Sequence, residues 1–158
     1  MRRTDREVTS KEEILNILER CQTVRIAMHG GEYPYVVPVS FGLMREGEKP
    51  VLYFHCAKQG MKCGYLAENG RVCVEADNFF RTQSVKGGIT ARYESVIGFG
   101  VCEPVTERDE ILRGLQSVLD HYGYESYPLA SCGSMAGVRV YRVTLEQITG
   151  KCNPVEEE

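Results

Sequence analysis

Residues 53–62 (YFHCAKQGMK) hold the side chains of this chain that are best suited to chemistry. The pattern predicts a strand, then a turn containing Gly60, then the first turn of a helix. The N-terminus of a helix exposes unpaired amides and the positive end of the helix dipole, so it suits a phosphate group. Lys58 and Lys62, four residues apart, can add positive charge there. The competing interpretation is that both lysines belong to a solvated surface.

His55 and Cys56 are neighbours in this segment, but on a strand they do not form a nucleophile–base pair. Successive side chains of a strand point to opposite faces, so the imidazole and the thiol lie on different sides. His55 then has two open roles. Its ordinary pKa of ~6.5 suits proton transfer near neutral pH, and its neutral ring suits a hydrogen bond that holds a ligand or a strand in place.

Several common kinds of site are not expected. The seven cysteines contain no C-x-x-C pair, and His29, His55 and His121 form no metal-binding grouping, so we expect no metal site. Gly98 and Gly100 lack the third glycine of a dinucleotide-binding loop, and no P-loop or nucleophile-elbow sequence occurs. His121 follows a helical pattern and is expected at the surface or as a helix cap.

The elements that must position these residues are mainly strands, which follow one another more often than they alternate with helices. Ser10 and Glu13 form a capping box that predicts a first helix. We predict strands over residues 23–29, 33–41, 51–56, 71–77, 92–105 and 138–145, and helices after Ser10, over about 60–69 with Gly70 as a left-handed cap, and after a Thr106 cap. The fold class is mostly β with flanking helices, a curved antiparallel sheet or barrel of about six strands.

Prolines and glycines mark irregular places in these strands. Pro34 and Pro38 cannot donate ladder hydrogen bonds, so their strand is expected to be bent, bulged or at an edge. Gly98 and Gly100 indicate a bend or bulge in the long strand 92–105.

The composition is that of one globular domain, with 158 residues, 42% of them hydrophobic and 26% charged. We treat residues 1–158 as a single domain with a short N-terminal lead at 1–9 and an acidic C-terminal tail at 153–158. The net charge of −3 argues against general nucleic-acid binding, which needs a basic surface. No run of residues suits a membrane span or a signal peptide, so we expect a cytoplasmic protein with reduced cysteines.

Three segments together resemble one known family. Residues 34–42 (PYVVPVSFG), 53–62 and 93–100 (YESVIGFG) occur in the order typical of the pyridoxamine 5′-phosphate oxidase-like, FMN-binding split-barrel proteins. Within that family the chain is most similar to the 5-nitroimidazole-resistance (Nim-like) flavoproteins. The resemblance extends from about residue 2 to residue 151.

The resemblance implies a split β-barrel homodimer that holds FMN between its subunits, with contacts from both chains. The flavin supplies the electron or hydride transfer in such proteins. Lys62 matches the phosphate-binding lysine, and His55 matches the histidine proposed to act in the resistance proteins. The candidate cofactor-binding residues are Pro38, Val39, Ser40, Phe41, His55, Cys56, Ala57, Lys58, Lys62, Tyr93, Ser95 and Val96.

The side chains at these positions are compatible with a flavin, which needs apolar walls, a few polar partners and positive charge at its phosphate. We expect walls from Val39, Phe41 and Val96. Hydroxyl partners for the ring edges are expected from Ser40 and Ser95.

The chain also departs from true pyridoxamine phosphate oxidases. It has no Trp and no C-terminal segment rich in Arg and Trp, so vitamin B6 oxidation is not expected. Residues 79–91, with Gly87 and Gly88, indicate a flexible loop over the cofactor where substrate choice would lie. Tyr33 and Tyr35 are candidates for a substrate pocket or for sheet packing.

Three functions stay open on the sequence alone. The first is an FMN-dependent oxidoreductase that reduces a small acceptor such as a nitro compound, with NAD(P)H as one electron donor to test. The second is a flavin carrier or sensor with little catalysis. The third is a haem-binding split-barrel protein, in which His29, His55 or His121 would ligate iron.

Overall fold

The computed structural model describes residues 2–45, 47, 49–129, 133 and 137–155. Met1 of the predicted lead, Cys132, and residues 156–158 of the predicted acidic tail lie outside the described residues. None of the described helices is long and apolar enough to cross a membrane. The described strands are β1 (Glu7–Val8), β2 (Val24–Met28), β3 (Tyr35–Val39), β4 (Gly42–Met44), β5 (Val51–Ala57), β6 (Arg71–Val85), β7 (Gly88–Pro104) and β8 (Val138–Asn153), and the helices are α1 (Lys11–Arg20), α2 (Met61–Glu68) and α3 (Arg108–His121).

The N-terminal helix begins where the sequence predicts it. Ser10 is the N-cap of α1, and its side-chain oxygen accepts a hydrogen bond from the Glu13 amide at 3.3 Å. One face of α1 packs against the sheet and buries Ile17 and Leu18 in the core. The predicted lead contributes to the sheet as well, because β1 pairs with the far end of β8.

The strands form one sheet in the order β3-β2-β6-β7-β8-β5-β4, and β1 also pairs with β8. All of these pairs are antiparallel. The predicted fold class, mostly antiparallel β with flanking helices, is therefore confirmed. The strand number is higher than predicted because the structure adds the short strands β1 and β4.

The two edge strands of this sheet are joined by a very short connection. β3 ends at Val39 and β4 begins at Gly42, although they lie at opposite ends of the strand order. Three residue steps span at most about 11 Å, so the sheet must curl until its edges approach each other. Within the described residues β3 and β4 do not pair, so the sheet forms an open barrel. Pro38 lies on edge strand β3, as the missing hydrogen-bond donor predicts.

Two hydrophobic cores hold the barrel together. The main core fills the inside of the curl, and its most buried large side chains are Phe41, Phe54, Ile17, Leu18, Ile26 and Leu52. The second core lies between the sheet and α3 and contains Tyr53, Val105, Leu115, Val118 and Val140.

Residues 79–91 belong to a regular hairpin and not to a loop. β6 and β7 stay paired from Arg71 and Val101 to Val85 and Gly88, with one irregularity after Phe79. The chain turns at Gly87, whose φ of 92° is the left-handed conformation that a tight hairpin needs. The prediction of a flexible loop over the cofactor is therefore wrong. The adjacent Gly87 and Gly88 are instead residues of a tight hairpin turn.

Local predictions from glycine and capping residues had mixed results. The bulge expected at Gly98 and Gly100 is confirmed by a register shift between β7 and β8 after Phe99. The cap at Gly70 is wrong, because Gly70 has no positive φ and its carbonyl accepts the Cys102 amide at 2.7 Å. The cap at Thr106 is also wrong, because Glu107 is the N-cap of α3.

Candidate functional site

The junction between β5 and α2 has the geometry expected of an anion site. β5 ends at Ala57, and Gly60 is the N-cap of α2 with a φ of 139°. Gly60 supplies no side-chain cap, so the first amides of α2 are left for another acceptor. Lys62 lies in this first helical turn and is half-buried, whereas Lys58 in the preceding turn is exposed. Neither lysine forms an ion pair within the described residues.

The end of β5 separates its side chains between two faces, as the sequence predicts for a strand. His55 and Ala57 are exposed, whereas Cys56 is buried in the main core. The imidazole and the Cys56 thiol therefore do not act as a pair. The exposed face of β5 at this end is formed by His55 and Ala57.

The segment between β3 and β4 runs toward the same end as His55. Gly42 pairs with Tyr53, so Ser40 and His55 each lie two residues beyond that pair, in the same direction. Pro38 and Ser40 are exposed at this edge of the barrel.

The apolar candidates at these positions are core residues. Val39 is 8% exposed, Phe41 is 0% exposed and Val96 is 2% exposed, and all three belong to the main core. These side chains support the barrel from inside, and the expectation that they form the walls of a flavin site stays a prediction.

The pKa of His55 is lowered from its ordinary value of 6.5. Although the residue has an exposed surface, neighbouring atoms shield part of its ring from water, and this partial burial is the main cause because it penalises the charged imidazolium; the positive charge of Lys62 adds to it. The ring is therefore neutral at pH 7, with one nitrogen that donates and one that accepts a hydrogen bond. This state favours a positioning role, or a proton acceptor, over a proton donor.

The candidates on β7 lie far from this junction within one chain. His55 pairs with Val140 of β8, and Tyr93 pairs with Asn153 of the same strand. Positions 140 and 153 are 13 residues apart, which is about 40 Å along a strand at ~3.3 Å per residue. The structure therefore brings Ser40, His55 and Lys62 to one end of the barrel and leaves Tyr93 and Ser95 elsewhere.

Tyr93 has a cationic environment. Lys151 places its Nζ 5.5 Å from the centre of the Tyr93 ring. Burial alone would raise the pKa of the phenol, but hydrogen bonds from Lys151 and Arg6 outweigh it and lower that pKa below 10.0. The positive charges of Lys151 and Arg6 therefore favour the ionised form of this phenol.

An apolar row crosses the sheet on its outer face and was not predicted. Val36, Ala27, Cys73 and Phe99 follow one another across β3, β2, β6 and β7 by strand pairing. Val36 is 52% exposed and Phe99 is 53% exposed. We call this row, together with Ile97, the outer face. The available signal was the alternation of Gly98 and Gly100 with large apolar residues, since only the glycines face the core.

Two of the β7 candidates lie on the same side of the sheet as the outer face. Side chains alternate along a strand, so Tyr93 and Ser95 point to the same side of β7 as Ile97 and Phe99. Val96 points to the opposite side, into the core.

A pocket of about 600 Å³ lies at one end of the outer face. It is lined in part by His29, Tyr33, Arg71 and Phe99. Tyr33 is thus at a pocket, whereas Tyr35 packs its ring against Tyr65 with ring centres 5.3 Å apart. Tyr35 therefore fits the sheet-packing interpretation, whereas Tyr33 stays a candidate for a substrate pocket.

His121 is engaged by packing. Its Nε2 lies 2.9 Å from the carbonyl oxygen of Cys21, and its ring centre is 4.3 Å from that of Phe41. His121 lies in the last turn of α3, as predicted, but its half-buried ring ties the end of that helix to the barrel and is not a free surface side chain. Within the described residues no three His, Cys, Asp or Glu side chains cluster as a metal site would require.

An antiparallel sheet that curls without closing places this chain among the split-barrel proteins. The family model for pyridoxamine 5′-phosphate oxidase matches residues 10–152, and the chain belongs to that family. The family resemblance stated from the sequence is thereby confirmed. No curated protein sequence matches the chain significantly.

Solved structures with the same fold include proteins of several functions. The chain is similar to a candidate 5-nitroimidazole antibiotic resistance protein from Bacteroides thetaiotaomicron, with 26% identity and a TM-score of 0.78 over 92% of this chain and 85% of that one. The flavocytochrome Anf3 from Azotobacter vinelandii gives 16% identity and a TM-score of 0.81 over 100% and 75%. The FAD and heme binding protein from Mycobacterium smegmatis gives 18% identity and a TM-score of 0.79 over 97% and 77%.

Proposed function

We propose that the protein binds FMN between two copies of its chain and uses it to reduce a small acceptor. The observation that carries this proposal is the separation of the candidates into two groups that lie far apart in one chain. One group, with Ser40, His55 and Lys62, lies at the β5–α2 junction. The other, with Tyr93 and Ser95, lies on the outer face, about 40 Å away along β8. A cofactor that contacts both groups needs a second copy of the chain.

The residues at the β5–α2 junction fit the phosphate of a flavin nucleotide. The uncapped amides that follow Gly60 can donate to phosphate oxygens, and Lys62 can add a charged donor. This junction offers one cluster of donors, which suits the single phosphate of FMN. FAD, which the Mycobacterium smegmatis relative binds, is the alternative cofactor.

The remaining residues of this group would orient the ring. Ser40 is exposed beside the junction and offers a hydroxyl, and the neutral ring of His55 offers a donor and an acceptor. Bound flavin supplies hydride or electron transfer, and the chain contributes binding and orientation.

The outer face supports the proposed homodimer. Exposed Val36, Ile97 and Phe99 form an apolar surface that a second copy would remove from water. The same packing would bring Tyr93 and Ser95 of one subunit toward the junction of the other.

The reaction class follows from the cofactor and from the likeness to a resistance protein. A flavin site with a neutral histidine fits an oxidoreductase that reduces a nitro compound or a similar small acceptor, with NAD(P)H as the proposed donor. The cytoplasm is the proposed compartment, because seven cysteines without a pairing pattern suit a reducing environment. A flavin carrier or sensor with little catalysis is the alternative.

Haem binding is the less favoured alternative on the structure. Of its three candidate ligands, His121 already binds the Cys21 carbonyl and packs against Phe41. His29 and His55 remain as ligands to test.

The first experiment is an absorption spectrum of the protein purified without added cofactor, followed by release of the chromophore and its identification. We expect flavin bands and FMN on denaturation, and NAD(P)H or a partner reductase should then reduce the flavin and an acceptor reoxidise it. Released FAD would correct the cofactor. Flavin that no donor reduces would favour the carrier, a Soret band would favour haem, and a colourless protein that takes up no FMN would overturn the proposal.

The shared site has its own test. Lys62→Ala and Tyr93→Ala homodimers should each bind FMN weakly, because each lacks one half of every site. After subunit exchange the mixed dimer regains one intact site, so we expect about half of the mixed dimers' sites to bind FMN with wild-type affinity. Mixing that restores no binding would contradict a site shared between subunits.

A further inference from the structure

Cys56 and Cys63 form a pair of thiols beneath the β5–α2 junction. Cys56 is near the end of β5, Cys63 is in the first part of α2, and their sulfur atoms are 3.8 Å apart. The residues are 8% and 7% exposed and belong to the main core. Cys63 Sγ also donates a weak hydrogen bond to the Ala57 carbonyl, at 3.5 Å. A disulfide has a sulfur–sulfur distance of about 2.0 Å, so the two sulfurs need to approach by less than ~2 Å.

We propose that Cys56 and Cys63 are a reversible redox pair that forms a disulfide when the protein meets a hydroperoxide such as hydrogen peroxide. In the first step one thiol sulfur takes an oxygen from the hydroperoxide, whose O–O bond breaks, and a sulfenic acid and water or an alcohol are formed. In the second step the other thiol attacks that sulfur, the S–S bond forms and water leaves. Two thiols have then lost two electrons and two protons, and the hydroperoxide has been reduced.

The surroundings of the pair make the disulfide slow to form and durable once formed. Burial raises the pKa of Cys56, the Cys63 thiol adds to this, and the charges of Lys62 and Arg139 only partly oppose it. The Cys56 thiol is therefore protonated at neutral pH and reacts slowly with hydroperoxide. A weakly acidic thiol such as that of Cys56 is also a poor leaving group, so small thiols that attack the Cys63 sulfur reduce the closed disulfide slowly.

The position of the pair gives the disulfide a structural effect. It would join the end of β5 to the first turn of α2, directly beside Lys62. The helix that carries the candidate anion site would then be fixed to the sheet in the oxidised protein and held by non-covalent contacts in the reduced one. Formation of the disulfide itself does not depend on the proposed flavin.

The test is to map disulfides after the reduced protein is treated with hydrogen peroxide and its free thiols are alkylated. Trypsin cleaves after Lys58 and Lys62, so the two cysteines lie on separate peptides unless they are linked. We expect a linked pair of peptides and an intact mass lower by two hydrogen atoms, both reversed by dithiothreitol. The link should be lost in Cys56→Ala and Cys63→Ala and kept in Cys73→Ala, the matched control on the outer face.

A second measurement keeps the proposal testable if an alanine variant folds poorly. Peroxide treatment should raise the melting temperature of the wild-type protein by several degrees, because the link restricts the unfolded chain. A link between Cys56 and Cys102, or oxidation confined to Cys73 and Cys152 with no link, would overturn the proposal.

Discussion

Lys58 and Lys62 have the same chemistry but different positions, and their positions decide what each can do. Lys62 is in the first turn of α2, which carries the uncapped amides, and is half-buried. Lys58 is in the turn before the helix and is exposed to water. A partly buried charged donor meets less screening by salt when it binds an anion than an exposed one does.

We therefore predict that Lys62→Ala weakens FMN binding by about tenfold or more, as expected for a lost charge-assisted hydrogen bond. Lys58→Ala should weaken it less than about threefold. Fluorescence titration with FMN gives both values, and Lys86→Ala, at the tip of the β6–β7 hairpin, is the control. Riboflavin, which has no phosphate, should bind the Lys62→Ala and wild-type proteins equally. Equal losses for Lys58 and Lys62 would contradict the phosphate assignment.

At the scale of elements, the contact of α3 with β4 depends on close approach. A Cβ at Gly42 would meet the backbone carbonyl of Ser117 in α3, and backbone atoms cannot move aside as a flexible side chain can. On the other side of the contact, a Cβ at Gly114 would meet the Tyr53 ring at 2.5 Å. These two glycines set the distance between α3 and the barrel.

Gly42→Ala should therefore lower the free energy of unfolding by about 3 kcal/mol, because α3 must move away from β4. Gly64→Ala is the control, since Gly64 lies in α2 with nothing within 4 Å of an added Cβ, and it should be neutral or stabilising by up to about 1 kcal/mol. Urea unfolding of both apoproteins measures the difference. A Gly42→Ala protein as stable as wild type would mean that α3 packs more loosely than described.

At the scale of the whole molecule, the outer face decides the assembly. Its row of Val36, Ala27, Cys73 and Phe99 crosses four strands, so it is continuous enough to form the centre of an interface. One chain on its own would keep this row in water.

Phe99→Glu should weaken the dimer at least about tenfold, because a carboxylate would be buried there without a partner. Tyr124→Glu is a matched control, since Tyr124 is 61% exposed beyond the end of α3. Light scattering at several protein concentrations gives the dimer constant. FMN binding should fall with the dimer. A Phe99→Glu protein that stays dimeric would place the interface elsewhere.

The sequence predicted what local chemistry controls. The α1 cap at Ser10, the edge position of Pro38 and the bulge near Gly100 each follow from one residue's hydrogen bonds or φ. Predictions from the sequence failed where long-range packing decides the local structure. Gly70 has the composition of a helix cap, but it is required by the close approach of Cys102.

The candidate site shows the same division between local and long-range effects. The alternation of His55 and Cys56 between faces was predictable from strand geometry. The burial of Phe41 and the exposure of Phe99 depend on which face of a curled sheet is inside, and the sequence of a single strand does not contain that information.

The length of β8 bears on how the protein is made. β1, β5 and β7 all pair with this one strand, which is the last in the described chain. A ribosome synthesises the chain from its N-terminus, so β5 and β7 each present an unpaired edge until residues 138–153 have emerged. Such edges invite pairing with other nascent chains. Folding is therefore completed late and through distant contacts, and a chain shortened before β8 is a candidate for aggregation and proteolysis.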